Sequence, residues 1–404
     1  METILFRGVS TPVALVFVVL QSRLLEPEGR GEFVVVVLGA TIVSRLLGQL
    51  GVAVTSWRGR SDLPVRALTH RALVLGAALA LAGAPLMVSV SALSGQVGWT
   101  AASIGAAGIL PNVVWQALSG VLLGEARLRL WNAIQLAPPV LALAALLVLV
   151  QGLDTGVPGA LAGWSLAQAL TAGFALVAAR DLWWPPAVPS PADAASRAIA
   201  RLALVMGAVQ ILNLISYRAE VFVLGREAGN AGVGVYSIAF QAVESMWLVP
   251  AAIATAVTAP AIAARADRDA ARLVARSSLR ALVLAGGVAA AVGAGAPWLV
   301  PAVFGSDFDG AVRPLALLLP GVVAYAPVTV LVVYLSIRRA RPWLSLAVSA
   351  VAGVLTVAAA VVLVPSHGAS GAAVASSIGY GAGALVAWFF FLWLSRRPLD
   401  SRVP

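Results

Sequence analysis

The feature that most constrains this chain is the recurrence of apolar runs long enough to cross a bilayer. A helix spans hydrocarbon with about 20 mainly apolar residues. Twelve such runs can be read, at about 4–24, 33–57, 72–93, 99–123, 130–150, 159–179, 202–224, 233–259, 281–303, 312–335, 343–364 and 370–394. The first lacks a small-residue cleavage site and reads as a retained span, not a signal peptide. The connections are short and leave no room for a separate soluble domain. Composition agrees: 60% of residues are apolar and 11% charged, with mean hydropathy +0.94, against about 25% charged in soluble proteins. There is no cysteine, which excludes disulfides, Cys-ligated metals and thiol nucleophiles.

The net charge of +10 would suggest nucleic acid in a soluble protein; here topology accounts for it. All 27 basic residues are arginine. With both termini in the cytoplasm, 21 fall on the inner side, in clusters such as Arg58/Arg60/Arg66/Arg71 and Arg265/Arg268/Arg272/Arg276/Arg280. Four, Arg23, Arg30, Arg226 and Arg313, fall outside, and two, Arg45 and Arg218, lie within spans. That asymmetry is the positive-inside rule. It places the chain as a multi-pass membrane protein with both termini cytoplasmic and calls for no nucleic-acid partner.

The chain repeats itself. RLWNAIQ…TGVPGALAG and RPWLSLA…HGASGAAVA align with a shift of 212, pairing Arg129 with Arg341, Trp131 with Trp343, Gly156 with Gly368 and Gly159 with Gly371. Nearer the start of each half, EGRGEF and NAGVGVY align with a shift of 203, pairing Gly29 with Gly232 and Gly31 with Gly234. RDLWWPPAVPSPADAASRAIAR, rich in proline, reads as a cytoplasmic linker over 181–201. The expected fold is all-α and integral to the membrane: about 12 transmembrane helices in two six-helix bundles, 1–180 and 202–404, related by the internal repeat. Repeats of even span number share one orientation, and transporters built this way place their substrate between the halves.

Polar residues form stripes within the spans. Gln210, Asn213, Tyr217 and Glu220 follow a 3-4-3 spacing, which is one helix face. Ser237, Gln241 and Glu244 form a second stripe, Asn112, Gln116 and Ser119 a third, and Thr41, Arg45 and Gly48 a fourth. Arg218 lies roughly 100–140° off the stripe of its own helix. Uncharged members can serve as interhelical hydrogen bonds. A buried charge costs about 2.5–3.5 kcal/mol on insertion scales and must be paired or wet. Arg45, Arg218, Glu220 and Glu244 are therefore candidates to line a cavity, the alternative being a structural salt bridge such as Arg218 with Glu244. Arg23, at the outer end of the first span, reads as a snorkelling side chain. Pro12, Pro85, Pro111, Pro138, Pro139, Pro250, Pro320 and Pro327 mark kinks within spans.

Catalytic constellations are missing. His70 and His367 fall in separate loops, no GxxxxGK[ST] phosphate loop occurs, and GRGEF reads as a short exterior hairpin. SDFDG (306–310) carries too few acids at calcium-loop spacing and reads as a solvated loop. No cofactor is expected beyond a coupling proton or sodium ion.

LLEPEGRGEFVVVV after the first span, ILNLISYRAEVFVLGREAGNAGVGVYSIA opening the second half and LVPSHGASGAAVASSIGYG before the last span resemble the polysaccharide exporters and flippases of the multidrug/oligosaccharidyl-lipid/polysaccharide superfamily. The resemblance covers nearly the whole chain. It implies two six-helix lobes with alternating access and transport of an undecaprenyl-pyrophosphate-linked oligosaccharide to the outer leaflet, alongside the polymerase and glycosyltransferases of its pathway. Asn213, Tyr217, Arg218 and Glu220 look like the family's seventh-span pattern, where the acid is commonly Asp. Arg23, Arg45 and Arg218 correspond by position to cavity arginines of related flippases. The chemistry agrees, since guanidinium groups bind pyrophosphate through charge-assisted, often bidentate contacts. The other readings are a lipid II flippase, whose relatives usually carry two more spans, a multidrug/cation antiporter, whose site should be dominated by acids, and a membrane-embedded polymerase or ligase, which would need a long exterior loop.

Overall fold

A computed structural model of the chain describes residues 2–58, 64–93, 95–184, 193–264 and 266–397. Among them, nine helices are long and apolar enough to cross a bilayer. Three of the nine, Pro12–Ser56, Tyr217–Ala263 and Pro342–Ser395, double back on themselves. Phe17 and Phe33 have ring centroids 6.2 Å apart, although 16 residues of straight helix span about 24 Å. Trp343 and Phe390 meet at 6.5 Å, where a straight helix would hold them about 70 Å apart. The reversals occur at Glu26 (φ 56°), Gly229 (φ 68°) and Gly368 (φ 52°), in the left-handed region that breaks a helix ladder.

Divided there, the described chain has twelve spanning helices: α1 (2–25), α2 (27–58), α3 (Val65–Leu93), α4 (Trp99–Gly124), α5 (Leu128–Gly152), α6 (Gly156–Ala178), α7 (193–228), α8 (230–263), α9 (Asp267–Phe304), α10 (Ser306–Arg338), α11 (342–367) and α12 (369–395). The reversals carry the repeat. Glu26 and Gly229 differ by 203 positions, and Gly156 (φ 59°) and Gly368 differ by 212, the two shifts read from the sequence. Breaks at Gly108 in α4 and Trp247 in α8 fall three residues before Pro111 and Pro250, where a proline ring clashes with the carbonyl four residues back and supplies no N–H.

The chain forms two compact units, 1–211 and 212–404. The division falls inside α7, not at the expected start of the second half at 202. Residues 202–211 pack with the first unit: Ala203 joins Leu50, Leu68, Leu118 and Ile199 in its core, and Gly207 lies against the Leu46 carbonyl. Helix also begins at Asp193, within the stretch read as a linker. GRGEF is not an exterior hairpin loop. It lies in α2, and Arg30 is buried at 2% exposure, donating to the Val18 carbonyl at 3.2 Å and to Gln21 Oε1 at 3.0 Å of α1. SDFDG is a 3-10 turn that buries Phe308.

Small residues let helices touch. In the first unit a side chain at Gly51 of α2 would run into the Ala117 carbonyl of α4, and one at Gly120 would lie 2.7 Å from Val52 N. In the second, Gly321 of α10 packs on Ser377 of α12, whose hydroxyl donates to the Leu317 carbonyl at 2.7 Å. Close backbone approach of this kind is how helices associate in lipid, where burial of apolar surface gives little drive.

Each unit also has an arginine staple at one end. In the first, Arg127, just before α5, binds both carboxylate oxygens of Asp181, just after α6, the Nη1–Oδ1 contact being 3.0 Å, while Arg66 Nε donates to the Asp181 carbonyl at 3.2 Å. In the second, Arg339, 212 positions later and just before α11, donates to Asp267 Oδ2 at 2.7 Å, to the Arg397 carbonyl at 2.6 Å and to the Leu394 carbonyl. Tyr334 and Arg338 of α10 bind the same Asp267 at 2.6 and 3.3 Å.

Candidate functional site

The second unit contains a cavity of about 410 Å³. The α7–α8 hairpin supplies most of its wall, and α10 and α12 add Leu318, Thr329 and Tyr380. Arg218 and Phe240 lie 11 residues on either side of Gly229, so the antiparallel hairpin brings them level. The Arg218 guanidinium sits 3.7 Å over the Phe240 ring centroid, a cation–π contact. Its Nη2 bonds Glu244 Oε1. The Arg218 side chain is 11% exposed and that of Glu244 46% exposed, so the pair is reached from the surface of the unit through the acid. Arg218 therefore does reach the cavity from the flank of its helix, as a long side chain can.

Deeper in the wall, Glu220 is buried. One carboxylate oxygen accepts from Tyr236 Oη at 3.1 Å, and that hydroxyl lies 3.3 Å from Ser376 Oγ of α12. The other oxygen, Oε2, has no hydrogen-bond partner among the described residues. An unsatisfied acceptor at such a position is costly. Beside these groups, Tyr217, Trp247, Tyr325 and Tyr380 form a mutual aromatic cluster with every pair of ring centroids 5.4–6.2 Å apart. Such rings present an apolar face and a polar edge.

Of the residues singled out from the sequence, the structure brings Tyr217, Arg218, Glu220 and Glu244 together. Gln241 is half-buried and lies outside the cavity lining, because the cavity face of α8 is not the stripe Ser237–Gln241–Glu244. It runs through Tyr236, Phe240, Glu244, Trp247 and Ala251, about 100° away at its start. That aromatic spacing was the available signal. The Asn213 side chain lies outside the described residues. Arg45 and Arg23 belong to the first unit: both are exposed, Arg45 on α2 just before the break at Gly48, and Arg23 near the end of α1. Gln116 bonds Asn112 within α4, whereas Ser119 joins α4 to α5 by accepting from Gln135 at 3.3 Å.

A family model described as "polysaccharide biosynthesis protein" matches residues 20–313. No curated protein matches in sequence. Among solved structures, the chain is similar to the lipid II flippase MurJ in an inward closed conformation, with TM-score 0.82 and 11% identity over 98% of this chain and 90% of that one. It is also similar to an inward-facing multidrug resistance MATE family transporter of the MOP superfamily, with TM-score 0.78 and 19% identity over 96% and 94%. A MOP superfamily transporter from Pyrococcus furiosus, described as having a binding pocket of reverse polarity, aligns at TM-score 0.62 and 19% identity over 97% and 93%.

Proposed function

Because this chain belongs to the polysaccharide biosynthesis protein family of exporters and flippases, we propose that it flips an undecaprenyl-pyrophosphate-linked oligosaccharide between leaflets. The observation that carries the reading is the half-exposed pairing of Arg218 with Glu244 over Phe240. A guanidinium held against an aromatic face and capped by an acid open at the surface of the unit has an exchangeable counter-ion. The pyrophosphate of an entering lipid displaces Glu244 and takes the charge-assisted bonds. Tyr217, Trp247 and Tyr380 of the aromatic cluster line the cavity and offer ring edges and polar groups to sugars, and the polyprenyl tail stays in hydrocarbon. Arg45, exposed on α2, is a second cation available to an anionic head. Glu220, with its free oxygen, is the group assigned to a coupling proton or sodium ion; one charge moved across 100 mV supplies about 2.3 kcal/mol.

The test is reconstitution in liposomes with a fluorescent undecaprenyl-pyrophosphate oligosaccharide, its accessibility followed with an outside quencher. Lipid II and an organic cation serve as competing cargoes. Flipping of the oligosaccharide lipid that falls in Arg218→Ala and Arg45→Ala supports the reading. Preferential movement of lipid II replaces it with a peptidoglycan role, and movement of the organic cation alone replaces it with antiport.

A further inference from the structure

α3 and α9 occupy equivalent places in the repeat, and both run into the same five residues, Arg-Ala-Leu-Val-Leu, at 71–75 and 280–284. α3 begins at Val65 and α9 at Asp267, so α9 is about two turns longer on that side. At 38 residues it measures about 57 Å, well beyond the roughly 30 Å of hydrocarbon in a bilayer. The added turns carry Arg268 and Arg272, and Arg276 and Arg280 continue the series into the part shared with α3. Each four-residue step advances about 6 Å along the helix and only about 40° around it. The four arginines therefore form one ridge about 18 Å long, and all four are exposed. The opposite face, with Ala270, Ala271, Val274, Ser277 and Ser278, is buried, which fixes the ridge outward. Of the nearby acids, Asp267 turns inward to Arg338 and Arg339, and Asp269 lies 3.7 Å from Arg272, leaving the ridge strongly cationic.

We infer that this ridge is a docking surface for anionic phospholipid headgroups of the surrounding bilayer. Topology needs basic residues on one side of a span in any register; here four recur in a single helical register that begins on an extension the equivalent α3 lacks. The ridge also runs directly into Leu279, Val283 and Leu284, exposed at 57, 65 and 52%. Side chains so exposed on a spanning helix face hydrocarbon. The arginines thus stand where that apolar strip meets the headgroups, and a lipid can satisfy both at once. Clustered basic residues beside a span attract anionic lipid electrostatically within about a Debye length.

The absence of native cysteine makes the test direct. Leu279→Cys, labelled with a fluorophore, is reconstituted in nanodiscs of phosphatidylcholine with a minor share of phosphatidylglycerol. The nitroxide quencher is carried near the headgroup of one lipid or the other. With the ridge intact, phosphatidylglycerol quenches more strongly than phosphatidylcholine at equal mole fraction, and salt erases the difference. Replacing the four arginines by Gln removes the preference, by up to about fivefold in local enrichment per arginine, while replacing them by Lys keeps it. Equal quenching by both lipids with the ridge intact overturns the inference, as does a preference that survives the four Gln substitutions. Quenching by neither lipid does so too.

Discussion

The exchangeable-counter-ion reading of Arg218 makes a prediction of sign. Arg218→Gln removes a cation–π contact of about 0.5–2 kcal/mol and a half-exposed ion pair of about 0.2–1 kcal/mol, so the protein loses about 1–3 kcal/mol and still folds. A hydrogen bond to a charged group contributes about 1.5–3 kcal/mol. At 1.4 kcal/mol per tenfold, the mole fraction of oligosaccharide lipid giving half-maximal flipping rises about 10- to 150-fold. Glu244→Gln does the reverse. It frees the guanidinium from the competing carboxylate, leaves the Phe240 contact, and tightens binding by up to about fivefold. The assay is the initial flipping rate in liposomes against substrate mole fraction, with thermal unfolding in detergent as the folding control. If the pair is a structural bolt, both substitutions weaken flipping to a similar degree and both lower the melting temperature. That outcome would refute the counter-ion argument, as would an unchanged half-saturation in Arg218→Gln.

Three further outcomes are expected. Glu220→Gln keeps an oxygen for the Tyr236 hydroxyl but loses the charge, so flipping no longer responds to an imposed proton or sodium gradient while gradient-free exchange of the lipid continues; unchanged gradient dependence removes Glu220 from coupling. The Arg127 guanidinium bonded to Asp181 holds that carboxyl below its usual range. Its stabilisation is complete above the ordinary aspartate value of about 4 and is lost as pH falls through the lowered value. Melting curves of wild type and Arg127→Gln should therefore differ at neutral pH and converge in strong acid. Asp267→Ala leaves Arg338 and the buried Arg339 without their carboxylate and lowers stability by about 3–5 kcal/mol, read as a drop in melting temperature that Arg127→Gln does not match.

The spans and the repeat were legible because both rest on local pattern: apolar length, and glycines at fixed shifts. Gly156, Gly229 and Gly368 could be read as turns, but Glu26 could not, since nothing in its residue type asks for a positive φ. The site was half legible. Arg218, Glu220 and Glu244 stood out because ionisable residues are rare in spans. The cluster of Tyr217, Trp247, Tyr325 and Tyr380 was hidden, as its members come from four helices distant in sequence and each alone looks like ordinary packing. The facing of α8 was misjudged because weak polar residues, Ser237 and Gln241, were weighted above Tyr236 and Phe240. Arg30 was taken for a loop residue because glycines flank it. In the structure Gly29 instead admits Val157, whose Cγ2 lies 2.7 Å from where a β-carbon would be.

The two arginine staples bear on how the gene can change. Arg127 and Arg339 hold matching positions, yet their acids come from opposite ends of the repeat: Asp181 follows α6, the sixth helix of the first half, and Asp267 opens α9, the third helix of the second. Where the second half would need its own Asp181 stands Trp393, and where the first would need Asp267, at the shift of 209 set by Arg-Ala-Leu-Val-Leu, stands Arg58. Self-similar halves invite recombination with each other. A crossover that joined the start of the first half to the end of the second would leave an arginine with tryptophan and a second arginine at those two positions, and no carboxylate to meet it. Each half is thus closed by an acid that the other half does not supply at the matching position.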